Sequence, residues 1–329
     1  MTHKVSVAPM MDCTDRHDRY FMRIMSKNVM LYTEMIATKS AIYGDRKKIL
    51  SYNSEEKPLA LQVGGSDKQE LSEVAKIAED MGYNEININL GCPSKKVQKN
   101  KFGACLMKEP DLVSECINQM VNSCKIPVTA KTRIGFDDVE NFDYLNKFIL
   151  KMKEAGCKTF MIHARKAMLK GLSPKQNLNI PKLNYKMVYE IKKKNPDLKI
   201  IINGGISKID EIKKHLNSCD GVMIGRAIYQ NPYFLVNIEK EIFKTQNLPS
   251  REEVAEKLLK YLEKEVKLGT KVNHIMRHTV GLYHGQIGSK NWKRYLSNNM
   301  MARDSDFQKA KHIMTIVQNN EKANKNIYD

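Results

Sequence analysis

The stretch LALQVGGSDKQELSEVAKIAEDMGYNEININL, residues 59–90, contains one complete unit of the fold. Leu59–Val63 and Glu85–Leu90 are short apolar runs of strand character. Asp67–Met81, between them, repeats its apolar residues at helical spacing. The same alternation continues in both directions. Strands are predicted at Val5–Pro9, Met30–Thr33, Val128–Lys131, Thr159–His163, Lys199–Asn203 and Gly221–Ile224, eight in all with the two above. Helical periodicity marks Glu109–Asn122, Asp143–Ala155, Tyr185–Lys193 and Ile209–Leu216. Strand-to-strand spacings of about 30 residues suit right-handed crossovers, and eight repeats predict a closed (β/α)8 TIM barrel rather than an open sheet.

From Pro249 onward only helix signals remain, so an α/β barrel followed by a C-terminal helical domain is expected. Arg251–Leu268 is predicted as an amphipathic helix with Val254, Leu258, Leu259, Leu262 and Val266 on one face, capped by Ser250. The expected divisions are a barrel over 1–240, a helical domain over 241–318 and a polar tail over 319–329.

Composition narrows the function. The 329 residues include 55 Lys and Arg against 37 Asp and Glu, a net charge of +18 that favours a polyanionic partner. Three segments hold no acid at all: 86–108, 155–189 and 266–303. Solvated helix faces would explain any one of them; three together favour an RNA-binding surface. Seven cysteines at irregular spacing, without a CxxC pair, argue against a disulfide framework or a zinc ribbon and for a reducing, cytoplasmic setting. No apolar run has the length of a membrane span, and no membrane or obligate protein partner is expected.

In such barrels the chemistry lies at the C-terminal strand ends. Here those ends carry Pro9, Met10, Met11 and Asp12, then Gln62, Asn89, Lys131, His163, Asn203 and Arg226. Asn203-Gly204-Gly205 and Gly225-Arg226 follow the last two predicted strands, where barrels usually hold a phosphate. Cys92 opens a lysine-rich loop between Gly91 and Pro93. It is a candidate nucleophile or proton donor, and a small buried side chain is the plain alternative; metal ligation is disfavoured because no second ligand stands at suitable spacing.

At these residues the chain resembles the tRNA-dihydrouridine synthases, FMN-dependent barrels with a C-terminal helical domain. The motifs Ala8–Asp12, Leu61–Gly65, Asn89–Ser94, His163–Lys166 and Ile202–Gly205 stand in family order, and His278–Leu282 with Trp292–Leu296 matches the helical domain. Thr14–His17 and Gly171–Lys175 are similar to the A subfamily, which modifies uridines 20 and 20a of the tRNA D-loop.

The resemblance implies roles. Pro9, Met10 and Met11 would lie against the isoalloxazine. Gln62, Lys131 and His163 would bond its ring or ribityl chain. Asn203, Gly204, Gly205, Gly225 and Arg226 would hold the FMN phosphate. NADPH would reduce FMN, flavin N5 would pass hydride to uracil C6, and Cys92 would protonate C5. Asn89 has the donor and acceptor to suit a uracil edge, and Arg165 and Lys166 suit base or phosphate. Lys175, Lys290 and Lys293 would contact tRNA. Leu178 departs from the pattern, where relatives often carry a basic residue.

Overall fold

The computed structural model describes residues 3–300. Nine strands form one parallel sheet: β1 Val5–Val7, β2 Leu31–Tyr32, β3 Ile36–Ala37, β4 Leu59–Gly64, β5 Glu85–Leu90, β6 Val128–Arg133, β7 Thr159–His163, β8 Lys199–Asn203 and β9 Gly221–Ile224. The order is β1-β9-β8-β7-β6-β5-β4-β2, with β3 paired to β4. The ring closes where Val7 N donates to Met30 O at 2.9 Å and Met30 N to Val5 O at 3.1 Å. All eight expected strands are present. β3, two residues long, was not anticipated.

Register places chosen side chains in common layers of the interior. Gln62 pairs with Asn87, Asn89 with Lys131, Arg133 with His163, and His163 with Asn203. Below the polar layers lies an apolar cluster of Ala8, Met30, Tyr32, Ala60, Met161, Ile201 and Met223. The barrel is thus a packed core in which apolar side chains interleave with buried polar ones, Glu85 accepting from Tyr32 OH at 2.8 Å and Thr129 Oγ1 at 2.6 Å. Helices cover the outside. Lys68–Asp80 starts at Asp67, whose carboxylate accepts from Gln69 N and Glu70 N, and it buries Leu71, Val74, Ala75, Ile77 and Ala78.

Contacts divide the described chain into two compact units. One holds 3–12 and Val29–Gly225; the other holds Cys13–Asn28 and 226–300. The helix Arg16–Met25, which follows β1 in sequence, therefore belongs to the helical unit. There His17 Nδ1 lies 2.8 Å from Tyr261 OH, Tyr20 stacks on Tyr261 at 3.8 Å between centroids, and the Arg16 guanidinium bonds the Glu265 carboxylate. These contacts explain a shift in the helix Arg251–Lys267. Its buried face is Val254, Ala255, Leu258, Tyr261, Leu262 and Glu265, while Leu259 and Val266 are half-buried. Ser250 caps it as expected, Oγ accepting from Glu253 N at 3.1 Å. The expected residues 301–318 of the helical domain and the tail 319–329 lie outside the described residues. Among the described residues, no helix is long and apolar enough to cross a membrane.

Candidate active site

The end of β5 builds the centre of the site. Successive inward residues Glu85, Asn87 and Asn89 form a polar ladder. Asn87 Nδ2 donates to Thr129 Oγ1 at 2.8 Å, Gln62 Nε2 to Asn87 Oδ1 at 2.8 Å, and Asn89 Nδ2 to Gln62 Oε1 at 2.9 Å. Asn89 Oδ1 then accepts from Gly91 N and Cys92 N. The Asn89 carboxamide is thus turned inward, capping the turn that presents Cys92. The loop returns to Cys92 through Gly103, at φ 79°, where a Cβ would come within 2.6 Å of Cys92 O. Ala104 N closes it by donating to Cys92 O at 2.9 Å.

Burial raises the Cys92 thiol above its ordinary value, opposed by a backbone hydrogen bond at Ser94 and by the Arg133 and Lys131 charges. The thiol is therefore protonated at neutral pH. Cys105, in the same loop, donates its Sγ to Phe102 O at 3.1 Å.

β6 supplies two cations from one face, Lys131 and Arg133. Lys131 Nζ donates to Asn203 Oδ1 at 3.2 Å, and Asn203 Nδ2 to Met223 O at 2.7 Å. Burial, then Arg133, pushes Lys131 down to about 8. No carboxylate pairs with either cation among the described residues. His163 is held well below its usual value by burial and by the Arg133, Lys131 and Arg165 charges, and its buried Nδ1 has no hydrogen-bond partner. Two uncompensated cations and an unmatched imidazole nitrogen leave polar capacity that an acceptor-rich, anionic ligand would satisfy.

Beside them, Gly204 and Gly205 take φ values of 122° and 71°. A Cβ on Gly205 would approach Leu183 Cδ1 to 2.8 Å. Tyr185 OH donates to Gly204 O at 2.6 Å. A Cβ on Gly225 would sit 3.4 Å from Met10 Sδ, so Met10 and the last strand tip adjoin. Pro9 is half-buried and Met11 exposed.

The structure thus gathers Met10, Gln62, Asn89, Cys92, Lys131, His163, Asn203, Gly204, Gly205 and Gly225 around one barrel end. Arg165 bonds the carbonyls of Asn179 and Pro181, Lys166 lies 3.8 Å from Glu140, and Lys175 is exposed. Leu178 closes a short turn, donating its N to Lys175 O. Arg226, Lys290 and Lys293 belong to the helical unit, where both lysines are exposed on the helix Ser289–Tyr295. Trp292 of that helix is fully buried, donating Nε1 to Thr279 O at 2.8 Å beside Tyr283. Arg133 was not among the expected site residues, although it follows Lys131 by two positions and so shares its face of the strand.

A closed parallel barrel with a capped thiol, buried cations and a glycine cradle at its strand tips defines a (β/α)8-barrel enzyme. The match extends further. The dihydrouridine synthase (Dus) family model fits residues 6–321, and the chain belongs to that family. It is similar to the tRNA-dihydrouridine(20/20a) synthases of Synechocystis (49% identity, covering 90% of this chain and 89% of that one) and Shewanella oneidensis (50%; 89% and 88%). The protein of that name from Escherichia coli K12 is 47% identical over 95% of this chain and 91% of its own. A solved 2-naphthoyl-CoA reductase complex shares the fold, with a TM-score of 0.54 at 12% identity over 71% of this chain and 49% of that one.

Proposed function

We propose that this protein is an FMN-dependent, NADPH-reduced synthase of 5,6-dihydrouridine at positions 20 and 20a of the tRNA D-loop, acting in the cytoplasm. The observation that carries the reading is the Cys92 turn, its N–H held by Asn89 Oδ1 at 2.9 Å, at the same barrel end as Lys131 and the buried Arg133. The names of the relatives, at 47–50% identity over most of the chain, support the substrate and position.

The site's own chemistry fits FMN. Lys131 and His163 would offer their unspent polar groups to the flavin ring, and Gln62 its second amide hydrogen. Asn203, Gly204, Gly205, Gly225 and Arg226 would hold a single phosphate. Pro9, Met10 and Met11 would give the ring an apolar face. Bound FMN would supply a hydride for uracil C6, with NADPH as its reductant.

The chain's part is binding and proton transfer. The target uracil must leave its stack to enter the barrel. Cys92 gives its proton to C5: the S–H bond breaks, the C5–H bond forms, and the electron pair stays on sulfur. Burial suits a donor that must remain a thiol until then. Asn89 orients that thiol and keeps one amide hydrogen for the base. Arg165, Lys175, Lys290 and Lys293 would meet the tRNA, the last two from the helical part of the chain, mostly through phosphates that position it.

Dihydrouridine mapping in tRNA from cells with and without the gene tests the reading. Loss at 20 and 20a is expected, and retention at both would refute it.

A further inference from the structure

Arg133 ends β6 on the inner face, in register with His163, and is almost completely buried. A buried guanidinium is costly unless something compensates it, and no carboxylate does so here among the described residues. Burial, with Arg165 adding to it and Cys92 opposing, pushes Arg133 down to about 10. Its hydrogens go to three backbone carbonyls on separate segments. Nε donates to Gly91 O at 2.9 Å, and Nη1 to Lys166 O at 3.0 Å and Asn177 O at 3.2 Å. Asn177 is itself buried and braces the third segment, accepting from Met168 N at 2.7 Å and donating to Met168 O at 3.0 Å.

Gly91 immediately precedes Cys92. One planar fork therefore ties the turn carrying the thiol to the segment carrying Arg165, Lys166 and Lys175. The charged and titratable groups acting on Cys92 are Arg133, then Lys131, with Cys105 nearby in the same loop. Arg133 also faces Arg165 and His163.

We propose that Arg133 is a positioning residue for Cys92: it fixes the backbone that presents the thiol and stabilises the thiolate left once the proton has moved to uracil C5. The inference rests on Cys92 as the proton donor. In that step Sγ–H breaks, C5–H forms, and negative charge passes from the base to sulfur, where solvent later restores the proton. A fixed cation bonded to the carbonyl just before Cys92, whose charge favours the thiolate, acts on the product side of the transfer, where charge develops. Lysine could keep the charge but, as a compact ammonium on a flexible stem, would not reproduce the planar fork that spans these carbonyls.

The test uses the flavin-loaded protein. The rate of Cys92 alkylation by iodoacetamide is followed against pH, peptide by peptide, by mass spectrometry, and dihydrouridine formation is timed in a single turnover with tRNA. Arg133→Gln should move the alkylation inflection upward by about 1 pH unit and slow dihydrouridine formation about 10- to 100-fold. Arg133→Lys should leave the inflection near that of the wild type while still slowing the reaction. An unmoved inflection in Arg133→Gln, with Cys92→Ala inactive, overturns the inference alone. An active Cys92→Ala overturns the donor role of Cys92, and the inference with it. Should Arg133→Gln not fold, Arg133→Lys decides: a wild-type rate overturns the positioning role.

Discussion

The side-chain oxygen of Asn89 accepts the backbone N–H of Cys92 at 2.9 Å. One strand-tip amide therefore fixes the orientation of a thiol three residues later, and it is fixed in turn by Gln62. Positioning, more than unusual acidity, is what the barrel gives this cysteine, since burial makes the thiol a weaker acid.

Replacing that thiol should separate two half-reactions. Cys92→Ala is expected to lower dihydrouridine formation by about 10²- to 10⁴-fold while NADPH still reduces the bound flavin. Cys105→Ala should stay close to wild type, because its Sγ is spent on the Phe102 carbonyl within its own turn. Single-turnover assays on both variants decide, and the opposite pattern would assign the proton to Cys105.

Lys131 should leave a mark on stability against pH. Its folded value of about 8 lies below the ordinary 10.5, so between these values the unfolded chain binds more protons and stability rises with pH. Below pH 8 the charged lysine carries its full burial penalty. The flavin-free Lys131→Met variant should therefore melt above the wild type near pH 7, and the gap should close toward pH 10. If FMN binds against Lys131 as proposed, it should favour the ammonium, and the gap should shrink at pH 7 once flavin is added. Melting curves with a pH-independent gap would contradict this.

The glycine turns proposed to hold the phosphate bear on the cofactor itself. With one cradle, and no GxGxxG fingerprint for a dinucleotide, the flavin released on denaturation should chromatograph as FMN rather than FAD. Gly205→Ala places a Cβ in the left-handed region and against Leu183, at a cost of about 1–2 kcal/mol. It should cut flavin content more than it alters the circular dichroism of the barrel. Full flavin loading in that variant would move the phosphate elsewhere.

Exposed Lys290 and Lys293 flank an inward Trp292, so their charges face solvent while the indole holds the helix in place. Lys290→Ala with Lys293→Ala should weaken all substrate tRNAs alike and flatten the salt dependence by about one unit per lost contact. Flavin content should not change. Equal affinities for wild type and the double variant across salt concentrations would reduce this stretch to a solvated face.

Much of this was legible in the sequence, for identifiable reasons. The strands are short β-branched and apolar stretches between helical periods, and each of the eight expected ones lies in the barrel. The helix Arg16–Met25 is a further addition; it is amphipathic but buries Asp18, Arg19 and Arg23 alongside Phe21 and Met22, pairings that only the fold supplies. β3 has too few residues for any period to register. At the site, the strand-tip polar residues marked the mouth, but local bonding is a property of three dimensions. Sequence shows that Asn89 has an acceptor, not that Gly91 and Cys92 already occupy it. Arg133 lies two residues beyond the expected strand end at Lys131, and its three partners are backbone carbonyls that no side-chain pattern in the sequence marks.

The placement of the helix Arg16–Met25 limits how this protein can be taken apart. A clone stopped at residue 240 would still encode that helix while discarding Tyr261 and Glu265, leaving the stacked face of Tyr20 and the charge of Arg16 open to water. Exchanging the helical part with that of a relative would likewise require two grafts, one of them between the first two strands of the barrel. The chain threads the same unit twice, so no single cut in the sequence separates the two parts.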